Sequence, residues 1–599
     1  MFKIIKQFFA LLTFGQKRRL YILQVLVVIM SFSEILGVAS IIPFMALVGD
    51  MNQLQQDTLI GKVYEISGIA SEAQFVFFLG IGVLVLLIFS SIISMFTLWR
   101  LSMFANFIGS EIADRLYIHY LSQNWLFHAT GSSAQLTKKI AIETRRVTDY
   151  LLTPLMIMNA RIVFILLLAV SIFLFDPLVA LIGLSFFGGA YFVLYRVIRI
   201  RLEKNGKNIS DINGRRFRLM NEGFGGVKDI LLLGRANDFI MRFNKTGIIL
   251  ARSMGSNVGL SLVPRYFIEL IAFGSMIGLI LYLLVRYDGD LGTILPILSV
   301  YALATAKLLP AFQMVYASLS SIKGNISALE SIQDDLIDSK KAEKKSLQDN
   351  EQKDLHLTQQ ISLEDITFTY PEKKEPTLDQ INITIPANNV IGIVGPSGSG
   401  KSTLIDILVG LIKPQHGQLK IDSTIINDEN CRLWQNTIGF VAQSIFLSEG
   451  TIAENVAFGI PKNEIDQKKV FNAIKLAYLD EFIKNLENGI NTKVGERGVQ
   501  LSGGQRQRIG IARALYHEAE VIIFDEATSS LDGITEKMIM EAINNFIGKK
   551  TIVMIAHRLK TVQNCDQIFF IDKGKVVDQG TFNELIETNE HFKKMATHS

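Results

Sequence analysis

Cysteine is nearly absent. The chain has 599 residues and two cysteines, Cys431 and Cys565. That excludes a disulfide framework or a cysteine-rich metal site and fits a reducing compartment. An excess of one charge is also missing. The net charge is +4, and the basic residues lie beside apolar runs, which suits membrane flanks and not a nucleic-acid surface. No cleavable leader stands out. Met1 to Arg19 is basic and amphipathic, without a small-residue cleavage site, and reads as an interfacial helix. What is abundant is apolar surface. Hydrophobic residues make up 49% of the chain and mean hydropathy is +0.31. An ordinary soluble chain of this size is more polar, so membrane segments are expected, with room for two or more domains.

Six apolar runs are long enough to cross about 30 Å of hydrocarbon, at roughly 20 residues each. They are Leu20–Val48, Phe75–Trp99, Leu151–Phe175, Pro177–Ile198, Leu262–Val285 and Ile294–Leu319. Lys and Arg concentrate before the first run, between the second and third, and between the fourth and fifth. Both termini are therefore expected in the cytoplasm. The two basic connections, Arg100–Tyr150 and Arg199–Ser261, are long, polar and helical in pattern. Their tips, near Asn124–Ser132 and Asn221–Lys228, are expected to dock on the C-terminal domain. In the outer connection Met51–Gln74, the spacing of Ile60, Val63 and Ile66 suggests a short helix. The pattern divides the chain into a membrane domain over 1–326, a charged solvated linker over 327–360 and a further domain over 361–599.

Several charged residues fall inside the runs: Glu34, Arg161, Arg265, Glu269 and Lys307. Each costs about 2.5–3.5 kcal/mol on insertion scales, so each needs a reason. Arg265 and Lys307 fall in the cytoplasmic half and are candidates to receive an anionic headgroup. The alternative is internal pairing. Arg265 and Glu269 are spaced i,i+4, and Lys307 has Glu34 or Glu269 as possible partners.

The C-terminal domain carries phosphate chemistry. Val390–Val394 reads as a buried strand, followed by Gly395-Pro-Ser397-Gly398-Ser399-Gly400-Lys401-Ser402 and a helix from Thr403. In that setting the loop is a P-loop. Its glycines let backbone N–H groups wrap the phosphates, Lys401 neutralises them, and the Ser402 hydroxyl can ligate Mg²⁺. A second apolar strand, Val521–Phe524, ends in Asp525 and Glu526. Asp525 is placed to hold Mg²⁺ and Glu526 to act as general base on water. His557 follows a third apolar run and can contact the γ-phosphate. Gln443 is a Mg²⁺ or water contact, and the Tyr370 ring can stack on adenine.

With Leu501-Ser502-Gly503-Gly504-Gln505 between these elements, residues Ile361 to Phe592 resemble an ATP-binding-cassette (ABC) nucleotide-binding domain. By that resemblance Tyr370 is the A-loop, Gln443 the Q-loop, Ser502–Gln505 the signature and His557 the switch histidine. Ser529–Asp532 matches the D-loop, and Thr492–Gly498 the exporter-type segment before the signature. The implied fold is a six-helix ABC exporter membrane domain (type I/IV) plus an α/β P-loop NTPase domain. Because the family's signature faces the opposite domain's ATP, the resemblance implies a half-transporter acting as a homodimer, with ATP and Mg²⁺ as cofactors and no nucleic-acid partner. Residues Ser33–Val48 and Val263–Glu269 resemble the PglK-type flippases of bacterial protein glycosylation. That implies a lipid-linked oligosaccharide substrate in the bacterial inner membrane, with Arg265 and Lys307 at its pyrophosphate. Lipid A, drugs or peptides are the alternative cargo, and an ATPase gating a partner is the remaining rival.

Overall fold

The computed structural model describes residues 12–597 except 50, 52–53, 55–58, 70, 176, 287–290, 347–354, 372, 496–497, 499, 527–532, 545 and 557. The expected interfacial helix over Met1–Arg19 lies largely outside these residues. Two compact units are present. One comprises Met1–Gln123 and Phe127–Gln348, the other Asn124–Leu126 and Asp349–Ser599.

The first unit is helical. Its long helices are α1 (Phe14–Ala39), α2 (Glu72–Leu121), α3 (Thr153–Phe175), α4 (Pro177–Gly225), α5 (Ala236–Arg286) and α6 (Leu291–Ser346). Among the described residues, four stretches are long and apolar enough to cross a membrane: Phe14–Val48, Glu72–Leu121, Ser133–Leu174 and Ala236–Tyr282. These helices expose large apolar side chains such as Phe77, Phe89, Leu166 and Leu270. In water such a surface would be an aggregation liability; in lipid it is the solvent-facing side. The remaining two expected spans, Pro177–Ile198 and Ile294–Leu319, include residues whose side chains are not described.

α2, α4, α5 and α6 have 50, 49, 51 and 56 residues. At about 1.5 Å per residue each is more than twice the hydrocarbon thickness, so each continues beyond the bilayer as a stem. The stems pack on a core that includes Leu101, Ile108, Ile112, Leu116, Val147, Leu151, Ile332 and Leu336. This core revises the linker expected over 327–360. α6 runs to Ser346 and buries Ala328, Leu329, Ile332 and Leu336. Those four residues recur at helical spacing, and the apolar face outweighs the charged run that follows.

In the outer connection, Leu59–Ser67 is helical. Tyr64 packs edge-on against Phe75 with ring centroids 5.1 Å apart, while Val63 and Ile66 are exposed. At the tip of the second cytoplasmic connection Phe224, Leu231, Leu232 and Leu233 are exposed.

The second unit has two sheets. An antiparallel sheet has the order β2-β1-β4-β5, from β1 (Gln360–Phe368), β2 (Leu378–Pro386), β4 (His416–Ile421) and β5 (Thr424–Ile425). The other has the order β10-β9-β3-β8-β7-β6. Its strands are β3 (Val390–Val394), β6 (Ile438–Val441), β7 (Val521–Asp525), β8 (Thr551–Ile555), β9 (Gln567–Asp572) and β10 (Lys575–Gly580). Strands β9, β3, β8, β7 and β6 run parallel. β3 and β8 are buried at every position, as a sheet covered on both faces requires.

Candidate functional site

Parallel strands place all their C-terminal ends on one edge of the sheet, where ligands of α/β folds bind. Register makes this concrete. Ile393 in β3 pairs with Ile555 in β8, and Asp525 in β7 pairs with the same Ile555. Val441 in β6 pairs with Phe524. The loop from Gly395, the Asp525-Glu526 pair and Gln443 therefore leave the sheet along the same edge.

The loop backbone is one that glycine permits. Gly395, Gly398 and Gly400 have φ of 155°, 81° and 104°. A Cβ on Gly395 would sit 2.0 Å from the Ile571 carbonyl oxygen, and one on Gly400 2.8 Å from that of Thr377. Gly400 caps α7 (Lys401–Leu408), whose N-terminus opens onto the loop. Lys401 is buried and donates to the carbonyls of Gly395 and Pro396, both at 2.9 Å. Burial lowers its pKa, and the Glu526 and Asp525 carboxylates act in the opposite direction. The Ser399 hydroxyl is buried with no hydrogen-bond partner. A glycine-lined cradle, an ammonium held by its own loop carbonyls and an orphaned hydroxyl together fit a polyphosphate.

Glu526 follows β7 with φ 50°, a left-handed conformation that costs a non-glycine residue about 1–2 kcal/mol. Such strain concentrates at functional positions. The Gln443 amide donates to the Glu526 carboxylate at 2.5 Å. Glutamine and carboxylate were expected separately as metal or water contacts; the structure brings them together. The Tyr370 hydroxyl lies 3.2 Å from that of Thr403, and its ring meets Phe368 edge-on. Ser402 is exposed at the start of α7. His557 and Asp532, expected at the γ-phosphate and in the D-loop, lie outside the described residues.

Ser502 caps α8 (Gly503–Tyr516) in a reciprocal capping box. Its hydroxyl accepts from Gln505 N–H at 3.2 Å, and its own N–H donates to the Gln505 side chain at 2.9 Å. The signature therefore opens a helix, and its capping box engages the N–H groups of Ser502 and Gln505. Gln443, Phe446, Gly503 and Arg506 line one cavity of about 410 Å³.

One group here carries no motif signal. Asp406 on α7 is pushed up to about 6 by burial and by the Asp525 carboxylate. The folded state thus holds this proton more tightly than an unfolded carboxylate with pKa 3.8. Stability contributed by the protonated form is present below pH 3.8 and is lost as pH rises toward about 6. Asp406→Asn removes that loss. It is expected to raise the melting temperature by roughly 2–4 °C at pH 7.5 and to leave it unchanged near pH 4. Scanning fluorimetry at both pH values checks this; an equal shift at both would remove the ionisation as its cause.

In the membrane unit, Glu34 pairs with Arg161 at 3.3 Å and accepts the Ser94 hydroxyl at 2.7 Å. Glu34 is thus engaged by Arg161 and not by Lys307. Arg265 pairs with Glu269 at 2.7 Å, the i,i+4 pairing that its spacing allowed. Lys307 is exposed, with no ion pair to a described residue.

A helical membrane unit followed by a P-loop unit with a signature helix defines an ABC exporter half-transporter. Comparison with known proteins agrees. The ABC transporter family model matches residues 378–529, and that of the ABC transporter transmembrane region matches 39–304. The chain is 42% identical over 244 residues to an ATP-dependent lipid A-core flippase of Cupriavidus pinatubonensis, covering 40% of this chain and 41% of that protein. It is 43% identical over 217 residues to ABC transporter B family member 29, chloroplastic, of Arabidopsis thaliana, covering 36% and 34%. Those two matches span well under half the relatives' length. A lipid A-core flippase of Pseudoalteromonas translucida is 31% identical over 493 residues, 81% of this chain and 83% of that protein. The chain belongs to the ABC transporter family. Its fold matches that of a bacterial Atm1-family ABC exporter with ATP bound, at TM-score 0.79 and 21% identity over 97% of this chain and 98% of that one.

Proposed function

We propose that this chain is one half of an ATP-driven lipid flippase, working as a two-fold homodimer in the bacterial inner membrane with its ATPase unit and both termini cytoplasmic. The observation that carries this reading is the match over 81% of the chain, through both units, to a lipid A-core flippase. An amphipathic lipid with an anionic headgroup would move from the inner to the outer leaflet, and lipid A-core suits the relatives best. A lipid-linked oligosaccharide is the second reading. It is supported by the PglK-type resemblance of Ser33–Val48 and Val263–Glu269, and the helix Leu59–Ser67 with its exposed Val63 and Ile66, expected from residue spacing, is compatible with it.

The roles proposed at the ATP site are supported by the geometry around Lys401, Gln443 and Glu526 and otherwise by the family resemblance. Tyr370 receives adenine. Lys401 exchanges its two carbonyl partners for phosphate oxygens. Ser402, Gln443 and Asp525 supply the oxygens that would hold Mg²⁺, which neutralises phosphate charge when bound. Glu526 takes the proton of the attacking water, and the Gln443 amide orients that carboxylate. By the family resemblance, His557 would contact the γ-phosphate and Asp532 would belong to the D-loop. The α8 N-terminus with Ser502–Gln505 faces the ATP held by the partner's P-loop, so one chain alone is half of each site. The exposed apolar tip around Phe224 and Leu231–Leu233 would carry the closing motion to the spans.

Purified protein in proteoliposomes tests the cargo. ATP-dependent loss of accessible lipid A-core, absent in Glu526→Gln, supports the first reading. Movement of a lipid-linked oligosaccharide alone moves the assignment to the second, and movement of neither overturns both. The headgroup cation is tested in the same assay. Lys307→Ala is expected to lower flipping about tenfold, with ATPase within about twofold. Arg265→Ala is expected to have the smaller effect, because Glu269 already neutralises Arg265. Equal effects of the two would return Arg265 to the headgroup site.

A further inference from the structure

The connection between α2 and α3 is not an ordinary helix. It runs as α-helix Ser133–Lys138, π-helix Lys139–Glu143, α-helix Thr144–Val147 and π-helix Thr148–Leu152 before α3 begins. A π turn accommodates an extra residue at poorer hydrogen-bond geometry and persists only where the surroundings hold it.

The surroundings here are ionic and buried. Glu143 is fully buried. Its Oε1 accepts the Lys138 ammonium at 3.0 Å and the Ser210 hydroxyl of α4 at 2.6 Å, and its Oε2 accepts the Arg146 guanidinium at 2.8 Å. Arg146 also donates to the Asn325 side chain of α6 at 3.1 Å. The neighbouring Lys139 turns the other way. It meets Asp335 of α6 at 2.6 Å, and Asp335 also accepts the Tyr120 hydroxyl of α2 at 2.5 Å. Glu143 thus ties the segment to α4 through Ser210, Arg146 ties it to α6 through Asn325, and Lys139 ties it to α6 through Asp335, which also holds Tyr120 of α2. On the α2 side a Cβ at Gly109 would lie 2.0 Å from the Thr148 hydroxyl, so the second π turn also seats against bare backbone.

The spacing of one pair is diagnostic. Lys138 and Glu143 are five residues apart across the first π turn. On an α-helix of 3.6 residues per turn, such a pair points about 140° apart. On the wider π turn the two side chains come to one face and meet. The ion pair therefore exists only while the turn is π. Annealing that turn to α would break the pair, rotate everything downstream by about one residue and carry α3 with it.

We infer that the Lys138–Glu143 pair is a conformational latch that holds the α2–α3 joint in its π register, and that the transport cycle works by releasing and reforming it. The transport half of this inference rests on the flippase reading; the latch itself does not.

The test uses the full chain in nanodiscs and reads backbone hydrogen exchange over 138–152 in wild type, Glu143→Gln and Lys138→Met. Both variants are expected to exchange about tenfold faster there, with the ATPase unit unchanged. The Glu526→Gln chain with ATP and Mg²⁺ is expected to show altered exchange over the same peptides, an effect absent when Lys138→Met is added. Transport per ATP hydrolysed is expected to fall at least about fivefold in Lys138→Met, with ATPase within about twofold. Lys138→Met leaves the Arg146 and Ser210 contacts intact, so it stands if Glu143→Gln fails to fold. Unchanged exchange over 138–152 in Lys138→Met overturns the latch, and transport falling only in proportion to ATPase overturns its part in the transport cycle. If the wild type moves no lipid, the flippase reading fails, and the exchange data alone decide the latch.

Discussion

Glu526→Gln is expected to keep ATP binding and to lose hydrolysis by about 10²–10⁴-fold, the usual contribution of a positioned general base. The side chain leaves the end of β7, beside the P-loop strand's neighbour β8. An amide has the same shape and still meets the Gln443 side chain, which sits 2.5 Å from the carboxylate. What it lacks is the capacity to take a proton from water. The strained backbone, φ 50°, is unchanged by the swap, so folding should be intact. Phosphate release and nucleotide binding on the same sample separate the two properties. Hydrolysis at the wild-type rate would remove Glu526 from the chemistry, and loss of binding would make its role one of holding the nucleotide.

Gly395→Ala is expected to destabilise the ATPase unit by about 3–5 kcal/mol, in the upper range for single substitutions, and to weaken ATP binding at least tenfold. The cause is steric. The new methyl would fall 2.0 Å from the Ile571 carbonyl oxygen and 3.0 Å from the Ser399 hydroxyl. Ile571 belongs to β9, which pairs with β3 on one side and β10 on the other, so its backbone cannot retreat. Gly398→Ala is the control. Its φ of 81° is strained for alanine, but the space around it is open, and about 1–2 kcal/mol is expected. Thermal melting and nucleotide titration of the two variants make the comparison. Equal losses would mean that backbone strain, not the contact with β9, governs the loop.

Most of the ATP site was legible in the chain because its chemistry is local. A P-loop is eight consecutive residues whose glycines and lysine must follow one another. The signature is four residues at one helix start, and the Asp525-Glu526 pair ends one strand. The resemblance to the ABC family then supplied roles for Tyr370, Gln443 and His557 that no single residue implies. Asp406 was invisible because its burial beside Asp525 depends on how α7 lies on the sheet.

The membrane unit divides differently. Long apolar runs are a one-dimensional property, and four of the six expected spans correspond to helices that are long and apolar enough to cross a membrane among the described residues. Charge partners are not. Five intramembrane charges allowed several pairings, and only the packing of α1, α2 and α3 gave Glu34 to Arg161 and Ser94. Arg265 and Glu269 were the exception, because an i,i+4 pair closes within one helix. The charged stretch after 327 read as linker because its composition is polar, yet Ile332 and Leu336 had a core to enter.

The sequence by itself therefore determined the class of machine, the nucleotide it binds and that it is built for a membrane. Each of these follows from residues that are neighbours along the chain or repeat along one helix. Only the tertiary structure decided which buried charges are neutralised by which, and that the α2–α3 joint carries two π turns. Those outcomes depend on the free energy of burying a charge, which is set by what other helices bring within about 3 Å of it.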